Sequence, residues 1–212
     1  MNRELTVLGI DLAGVAHRPT GICLLKEGRA RTMLLSGDDE ILALAREAKP
    51  ALIAIDAPLN LPPGRRLMSD RNGSHYRPCD LELRRRKIPF FPITLGPMRI
   101  LTERGIELKR RLKAEGFRVV EIYPGGAQDI WRIPRAGRSR EGLRRGLIRR
   151  GIKGLVVSAS DHELDAATGA LVGLLFLRGK AETLGDFATG AIIIPRSRCA
   201  RGRNNPPNYG DT

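Results

Sequence analysis

Val7-Leu8-Gly9-Ile10-Asp11-Leu12-Ala13 is a short apolar run that contains one carboxylate, and Leu52-Ile53-Ala54-Ile55-Asp56-Ala57-Pro58 repeats the pattern. Continuous apolar runs of this length are typical of strands that are buried on both faces. A charge inside such a run costs roughly several kcal/mol unless a partner offsets it. Asp11 and Asp56 are therefore candidate functional residues at the inner ends of two buried strands.

The spacing of apolar residues and turn signals predicts the elements around these two runs. A helical crossover precedes the second run, so strand four should lie parallel to strand one. The other predicted elements are strands 20–25 and 30–35, a helix capped at 36–39 and ended by Pro50, a helix at 97–115, strand 118–124, a basic helix at 139–151, an apolar helix at 161–177 and a short strand at 191–195.

This order predicts an α/β fold with a mixed five-stranded sheet, strand order 3-2-1-4-5, flanked by helices. That is the order of the ribonuclease H-like fold. Residues 1–195 are expected to form one such domain, with residues 60–96 as an Arg- and Pro-rich insertion after strand four. Residues 196–212 are basic and amide-rich, which predicts a disordered tail.

A third acidic cluster, Asp161-His162-Glu163-Leu164-Asp165, opens the apolar helix. Asp161 and Asp165 are four residues apart, so they face the same way with Cβ atoms about 6 Å apart. Four converging carboxylates repel one another unless cations intervene, and Mg²⁺ or Mn²⁺ are hard ions that prefer oxygen ligands. Two such ions about 3.5–4 Å apart could hold the attacking water and the leaving oxygen of a phosphodiester. The predicted metal ligands are Asp11, Asp56, Asp161 and Asp165, and the predicted catalytic residues are Asp11, Asp56, Asp165 and Glu121.

Several of these residues have competing interpretations. Glu121 occupies the place in strand five that the aspartates hold in theirs, and it fits a metal ligand, a general base or an edge-strand charge. Asp161 follows Ser160 and also fits a helix cap. His17 could reach the pocket from the loop after strand one. His162 and Glu163 are expected to point elsewhere on the helix and to take no part.

The net charge of +14 is the second signal, and 30 of the 37 Lys and Arg residues are Arg. Arg offers a planar fork suited to phosphate, so the bias favours an anionic partner such as DNA or RNA. Residues 61–118 carry 15 basic and 6 acidic residues, and residues 132–153 carry 9 and 1. A solvated face on a highly charged protein is the alternative. The predicted nucleic-acid-binding residues are Arg77, Arg84, Arg85, Arg86, Arg144 and Arg145.

Composition also argues against several classes of protein. The three cysteines form no C-x-x-C pair, which favours a reducing cytoplasm over a disulfide framework or a zinc site. The N-terminus lacks the shape of a signal peptide. The longest apolar stretch, residues 164–177, has 14 residues and is too short to cross a bilayer. We therefore expect a cytoplasmic protein without a membrane partner, and homo-oligomerisation is left open.

Separate motifs along the chain resemble the domain-of-unknown-function family 429. They are Gly9-Ile10-Asp11-Leu12-Ala13, Ala54-Ile55-Asp56-Ala57-Pro58-Leu59, Arg77-Pro78-Cys79-Asp80 with Leu83-Arg84, Glu121-Ile122-Tyr123-Pro124, residues 161–171 and Pro195. This family is regarded as predicted nucleases of ribonuclease H-like fold, distantly similar to Holliday-junction resolvases. The resemblance implies that Asp11 and Asp56 are the strand carboxylates, and that Asp161 and Asp165 are their partners on the final helix.

Three hypotheses follow. The first is a metal-dependent nuclease that hydrolyses phosphodiester bonds. The second is an actin-like ATPase or phosphotransferase, which shares the sheet order but needs two Asp-x-Gly loops, and Asp56-Ala57-Pro58 stands in place of one. Nucleotide-dependent thermal stabilisation would favour it. The third is a non-catalytic nucleic-acid-binding protein, which steeply salt-dependent binding without metal affinity would favour.

Overall fold

The computed structural model describes residues 5–197. The predicted tail at 196–212 therefore lies, from residue 198 onward, outside the described residues. Strands and helices follow one another in this order: β1 (Thr6–Asp11), β2 (Thr20–Lys26), β3 (Arg29–Leu35), α1 (Asp38–Ala48), β4 (Leu52–Asp56), α2 (Pro78–Arg85), α3 (Pro97–Ala114), β5 (Val119–Ile122), α4 (Pro124–Trp131), α5 (Arg140–Arg149), α6 (Asp161–Leu177), β6 (Ala181–Asp186) and β7 (Gly190–Pro195).

The strands form one mixed sheet in the order β3-β2-β1-β4-β5-β7-β6. The α/β class is confirmed, and β4 lies parallel to β1 as predicted. The predicted count of five strands is wrong, because β7 pairs in parallel with β5 and β6 closes the edge antiparallel to β7. Sequence alone did not reveal β6, since Ala181-Glu182-Thr183-Leu184-Gly185-Asp186 lacks a regular alternation of apolar side chains.

Helices cover both faces of the sheet. On one face α6 packs over the central strands, together with α4 and α5, around residues such as Val7, Ala54 and Ile122. On the other face α1 and α3 bury Ile10 and Ile55. The predicted insertion also joins this architecture, because α2 packs on β6 and β7 in a third apolar cluster of Cys79, Leu83, Ile88, Leu184, Ile192 and Ile194.

Glycines let α6 lie against the strand backbones. A Cβ atom on Gly9 would lie 2.7 Å from the Ala170 amide nitrogen, and one on Gly169 would lie 2.8 Å from Cδ1 of Ile122. Real Cβ atoms do not approach neighbours so closely. The helix is therefore seated closer to the sheet than side chains would allow, and its first turns reach the ends of β1 and β4.

Gly9→Ala should destabilise the protein by about 1–3 kcal/mol, because the new methyl group meets helix backbone that cannot yield without moving α6. Urea unfolding curves measure this loss. Gly137→Ala is the matched control, since a Cβ atom there has nothing within 4 Å. Equal stability of the two variants would contradict the close seating of α6.

Between residues 5 and 197, none of the helices combines the length and the apolar character needed to cross a membrane.

Candidate active site

Asp11 and Asp56 end neighbouring parallel strands at the same level of the sheet. Their Cα atoms are partners in the register of β1 and β4. Side chains alternate between the two faces along a strand, and partners in register share a face. Both carboxylates therefore lie on the face that α6 covers, and the predicted pairing of the two strand aspartates is confirmed.

Asp165 comes to the same place from α6. A capping box begins this helix, in which the Ser160 hydroxyl accepts from the Glu163 amide and a Glu163 carboxylate oxygen accepts from the Ser160 amide at 2.8 Å. Glu163 is thus a structural cap, as expected of a residue outside the site. Asp165 lies one turn further in and is half-buried.

Electrostatics show that the three carboxylates act on one another. Burial raises the pKa of Asp56 well above its usual range, and the charges of Asp11 and Asp165 add to that rise. Burial and then the Asp11 charge raise the pKa of Asp165 to about 7, against the opposing hydrogen bond from Gln128. Like charges that share one site disfavour ionisation in this way. We define Asp11, Asp56 and Asp165 as the carboxylate cluster.

His162 is a member of the site that sequence reasoning wrongly set aside. Its Nδ1 lies 2.6 Å from Oδ2 of Asp11, and this hydrogen bond raises the pKa of the imidazole. Helical spacing suggested that residue 162 points away from residues 161 and 165. However, the first turn of α6 crosses β2 so closely that a Cβ on Gly21 would lie 2.9 Å from the His162 Cβ. The imidazole therefore holds Asp11 in place from the side.

Gln128 holds Asp165 in a similar way. This buried side chain from α4 donates from Nε2 to Oδ1 of Asp165 at 2.6 Å and to the Thr168 hydroxyl at 3.1 Å. Gln128 is the one Gln of the sequence. Its neighbours in the sequence do not indicate that its side chain contacts another helix, so this role could not be predicted.

Arg135 places a positive charge near the cluster and was also missed. Its charge lowers the pKa of Asp56, against the larger effect of burial. Its guanidinium pairs with Asp129 at 2.6 Å and donates to the Tyr123 hydroxyl at 3.4 Å. In the sequence Arg135 is one of nine basic residues between positions 132 and 153, and nothing distinguishes it from the others.

Two cations on α3 fix the loops that follow the strand aspartates. Arg104 donates to the Ala13 carbonyl at 2.6 Å, just beyond Asp11. Lys109 donates to the Leu59 carbonyl at 3.2 Å and to the Asn60 side chain at 2.9 Å, just beyond Asp56. The positions of the two strand carboxylates therefore depend on the helix that packs on the opposite face.

Glu121 does not join the carboxylate cluster. It pairs in register with Ile55 and not with Asp56, so its side chain lies on the opposite face of the sheet. There it accepts from the Leu59 amide at 2.8 Å and from both terminal nitrogens of Arg77, at 2.6 and 2.7 Å. The prediction that Glu121 occupies the place of the aspartates is wrong, and its contact with Leu59 makes it a positioning residue for the loop after Asp56.

Arg77 is buried, with 1% of its side chain exposed. It contacts Glu121 and also Asp80, at 2.9 Å. Its predicted contact with nucleic acid is wrong, because a guanidinium enclosed between two carboxylates cannot reach a phosphate. In the sequence Arg77 resembles every other basic residue of the segment, and only the tertiary partners distinguish it.

The other predicted nucleic-acid-binding residues lie at or near the surface. Arg84, Arg85, Arg86 and Arg145 are exposed, and Arg144 is half-buried. Arg144 and Arg145 both bind Glu141, while Arg85 and Arg86 bind Glu82 and Glu182. A basic surface is present, but much of its charge is already paired within the chain.

The candidate metal ligands have the chemistry of a hard-cation site. Among residues 5–197, no three His, Cys, Asp or Glu side chains are already arranged as ligands around one point. The cluster nevertheless offers only oxygen donors, which suit Mg²⁺ or Mn²⁺. No donor between residues 5 and 197 hydrogen-bonds the Asp56 carboxylate. Burial and the charges of Asp11 and Asp165 raise its pKa. Asp161 and His17 are both exposed.

Two solved structures are similar to the chain: "T. thermophilus RuvC in complex with Holliday junction substrate" and "Thermus thermophilus RuvC structure". The TM-scores are 0.48 and 0.46 and the sequence identities 13% and 14%; each comparison covers 82% of this chain and 96% of that chain. No curated protein matches the chain.

A family model described as "Protein of unknown function (DUF429)" matches residues 9–189. The match begins just before Asp11 and extends beyond α6, so it spans the whole carboxylate cluster. The chain belongs to the DUF429 family.

Proposed function

We propose that the chain is a metal-dependent nuclease of ribonuclease H-like fold that hydrolyses phosphodiester bonds of nucleic acid at the carboxylate cluster. One observation carries this proposal. Three aspartates from two strands and a helix converge: burial and the charges of Asp11 and Asp165 raise the pKa of Asp56, and burial and the charge of Asp11 raise the pKa of Asp165. Such an arrangement costs stability in the absence of a cation, which favours a functional origin.

Asp11, Asp56 and Asp165 would hold a Mg²⁺ or Mn²⁺ ion, with Asp161 at the exposed rim. A bound ion of this kind polarises a phosphoryl oxygen and lowers the pKa of a bound water. The chain contributes orientation through its own hydrogen bonds. His162 fixes Asp11 and Gln128 fixes Asp165, and such outer contacts commonly set the strength of a metal site.

Nucleic acid is the proposed substrate because the chain carries a net charge of +14 and exposes several arginines. Arg135 lies near Asp56, and its charge would act on a phosphate bound at the cluster. Arg84, Arg86 and Arg145 would follow the backbone further away.

The test is a cleavage assay with Mg²⁺ or Mn²⁺ on branched, duplex and single-stranded DNA and RNA. We expect cleavage that EDTA abolishes and that Asp11→Asn lowers at least about 100-fold, because loss of a metal ligand removes several kcal/mol of transition-state stabilisation. Asp39→Asn is the matched control, since Asp39 is exposed on α1 and pairs with Arg111. Equal cleavage by Asp11→Asn and the wild type would refute the assignment.

A further inference from the structure

A cavity of about 300 Å³ opens to solvent in the segment between β4 and α3. Its volume lies at the lower end of the range of small-molecule sites, about 300–1,000 Å³. Tyr76 and Phe90 line it together with Arg84 and Lys87. None of the described residues that line it is acidic, so the cavity combines aromatic surface with positive charge only.

The aromatic part of the cavity has the geometry of a stacking platform. The Tyr76 and Phe90 rings meet edge to face with centroids 6.1 Å apart. The Arg84 guanidinium lies over the Tyr76 ring, 4.2 Å from its centroid. Aromatic rings and guanidinium planes are the surfaces on which unstacked nucleobases are held. Ile88 and Pro89 complete the apolar wall.

The cations of the cavity differ from their neighbours in the run Arg84-Arg85-Arg86-Lys87. Arg85 binds Glu82 and Arg86 binds Glu182. Within the described part of the chain, Arg84 and Lys87 pair with no carboxylate, and both line the cavity. The positive charge that remains available in this run is thus the charge that faces the cavity, as a phosphate-binding surface requires.

Tyr123 and Arg135 connect the cavity to the carboxylate cluster. Pro89 lines the cavity, and its carbonyl accepts from the Tyr123 hydroxyl at 2.5 Å and from Arg135 at 3.5 Å. Tyr123 directly follows β5, and the Arg135 charge acts on Asp56. The same two side chains thus contact a residue of the cavity and interact electrostatically with Asp56.

We propose that this cavity binds one unpaired nucleotide of the nucleic-acid substrate, its base against Tyr76, Arg84 and Phe90 and its phosphate at Lys87 and the free edge of Arg84. The inference rests on the proposed function for the identity of the ligand and deepens it. Bases inside a continuous duplex are already stacked on both faces. The substrates favoured are therefore those with an unpaired nucleotide: single strands, flaps and branch points.

Fluorescence anisotropy with the full chain in EDTA tests this without cleavage. The probes are a labelled 12-nucleotide single strand and a blunt duplex of the same sequence. Tyr76→Leu and Arg84→Gln should each weaken binding of the single strand about tenfold, as expected for loss of one stacking contact. Binding of the duplex should change less than about twofold, and Tyr76→Phe should keep the affinity of the wild type.

Two controls separate stacking from general charge and aromaticity. Arg110→Gln removes one positive charge from the exposed side of α3, and Phe91→Leu removes a neighbouring exposed ring that does not line the cavity. If the cavity variants weaken single-strand binding no more than these controls, or weaken duplex binding equally, the inference is overturned. Circular dichroism spectra of all variants check that the fold is kept.

The outcome is separable from that of the nuclease assay. A wild type that cleaves with Mn²⁺ but shows no cavity-dependent preference for the single strand overturns the cavity assignment and leaves the nuclease standing. A protein that binds single strands through Tyr76 and Arg84 but never cleaves overturns the nuclease and supports the cavity.

Discussion

Asp165→Asn should abolish metal-dependent cleavage and at the same time stabilise the metal-free protein at pH 8. Cleavage should fall at least about 100-fold, since the variant loses a candidate metal ligand. Stability should rise by about 2–4 kcal/mol, because an amide keeps an acceptor for Gln128 but adds no charge to the cluster. A residue whose removal stabilises the fold while ending activity is the expected signature of a functional site.

The pH dependence of that gain follows from the pKa. The folded protein holds Asp165 at a pKa of about 7, above the value of about 3.9 in the unfolded chain. The folded state therefore binds the proton more tightly, and this group lowers the free energy of unfolding as the pH rises from about 4 to about 7. Variant and wild type should be equally stable near pH 4 and differ fully above pH 7.

Urea unfolding in EDTA between pH 4 and pH 8 measures the gain, and the cleavage assay measures the loss. Asp39→Asn serves as control again, because its side chain is 90% exposed and lies on α1, away from α6. It should change neither quantity. Destabilisation by Asp165→Asn at pH 8 would show that the carboxylates do not repel one another.

Arg77→Met should cost about 3–5 kcal/mol of stability. The side chain is buried between Glu121 and Asp80, and its removal leaves two buried carboxylates without a cation. Burial already raises the pKa of Glu121, and Arg77 opposes that rise. Without Arg77 the folded protein should take up a proton more readily, so the loss should be smaller at pH 5 than at pH 8.

The double variant Arg77→Met/Glu121→Gln should recover part of the loss, since it removes one of the uncompensated charges while Gln still accepts from the Leu59 amide. Arg110→Gln breaks an exposed pair with Glu107 and should change stability by less than about 0.5 kcal/mol. Thermal and urea unfolding give both values. A loss below about 1 kcal/mol for Arg77→Met would contradict the structural role of the network.

The carboxylate cluster could be predicted from sequence because each aspartate is a charged residue where the local pattern is apolar. Asp11, Asp56 and Asp165 are charges within apolar segments, and the order of the elements alone places the two strands side by side. Glu121 is also a charge within an apolar strand, yet its side chain lies on the opposite face of the sheet. The register of β5 against β4 is set by tertiary packing and cannot be predicted from the long segment between them, which contains α2 and α3. A shift of one residue would exchange the two faces of the strand.

Arg77, Gln128 and Arg135 could not be assigned from sequence, for a different reason. Gln128 contacts Asp165, which is 37 residues away in sequence, and Arg77 contacts Glu121, which is 44 residues away. The role of Arg135 depends on its charge acting on Asp56. No local pattern marks a basic residue that will be enclosed among others that stay in solvent. His162 was set aside because helical periodicity describes one helix, whereas the strand it crosses decides its contact with Asp11.

The glycine-lined seat of α6 limits how this constellation could be engineered. If the three aspartates are grafted onto another α/β scaffold, the strands of that scaffold need glycine at the positions of Gly9 and Gly21. Otherwise the helix lies too far from the sheet, and the distances between the carboxylates change. Conversely, a library that varies α6 while keeping those two positions would retain the carboxylate geometry and vary its surroundings.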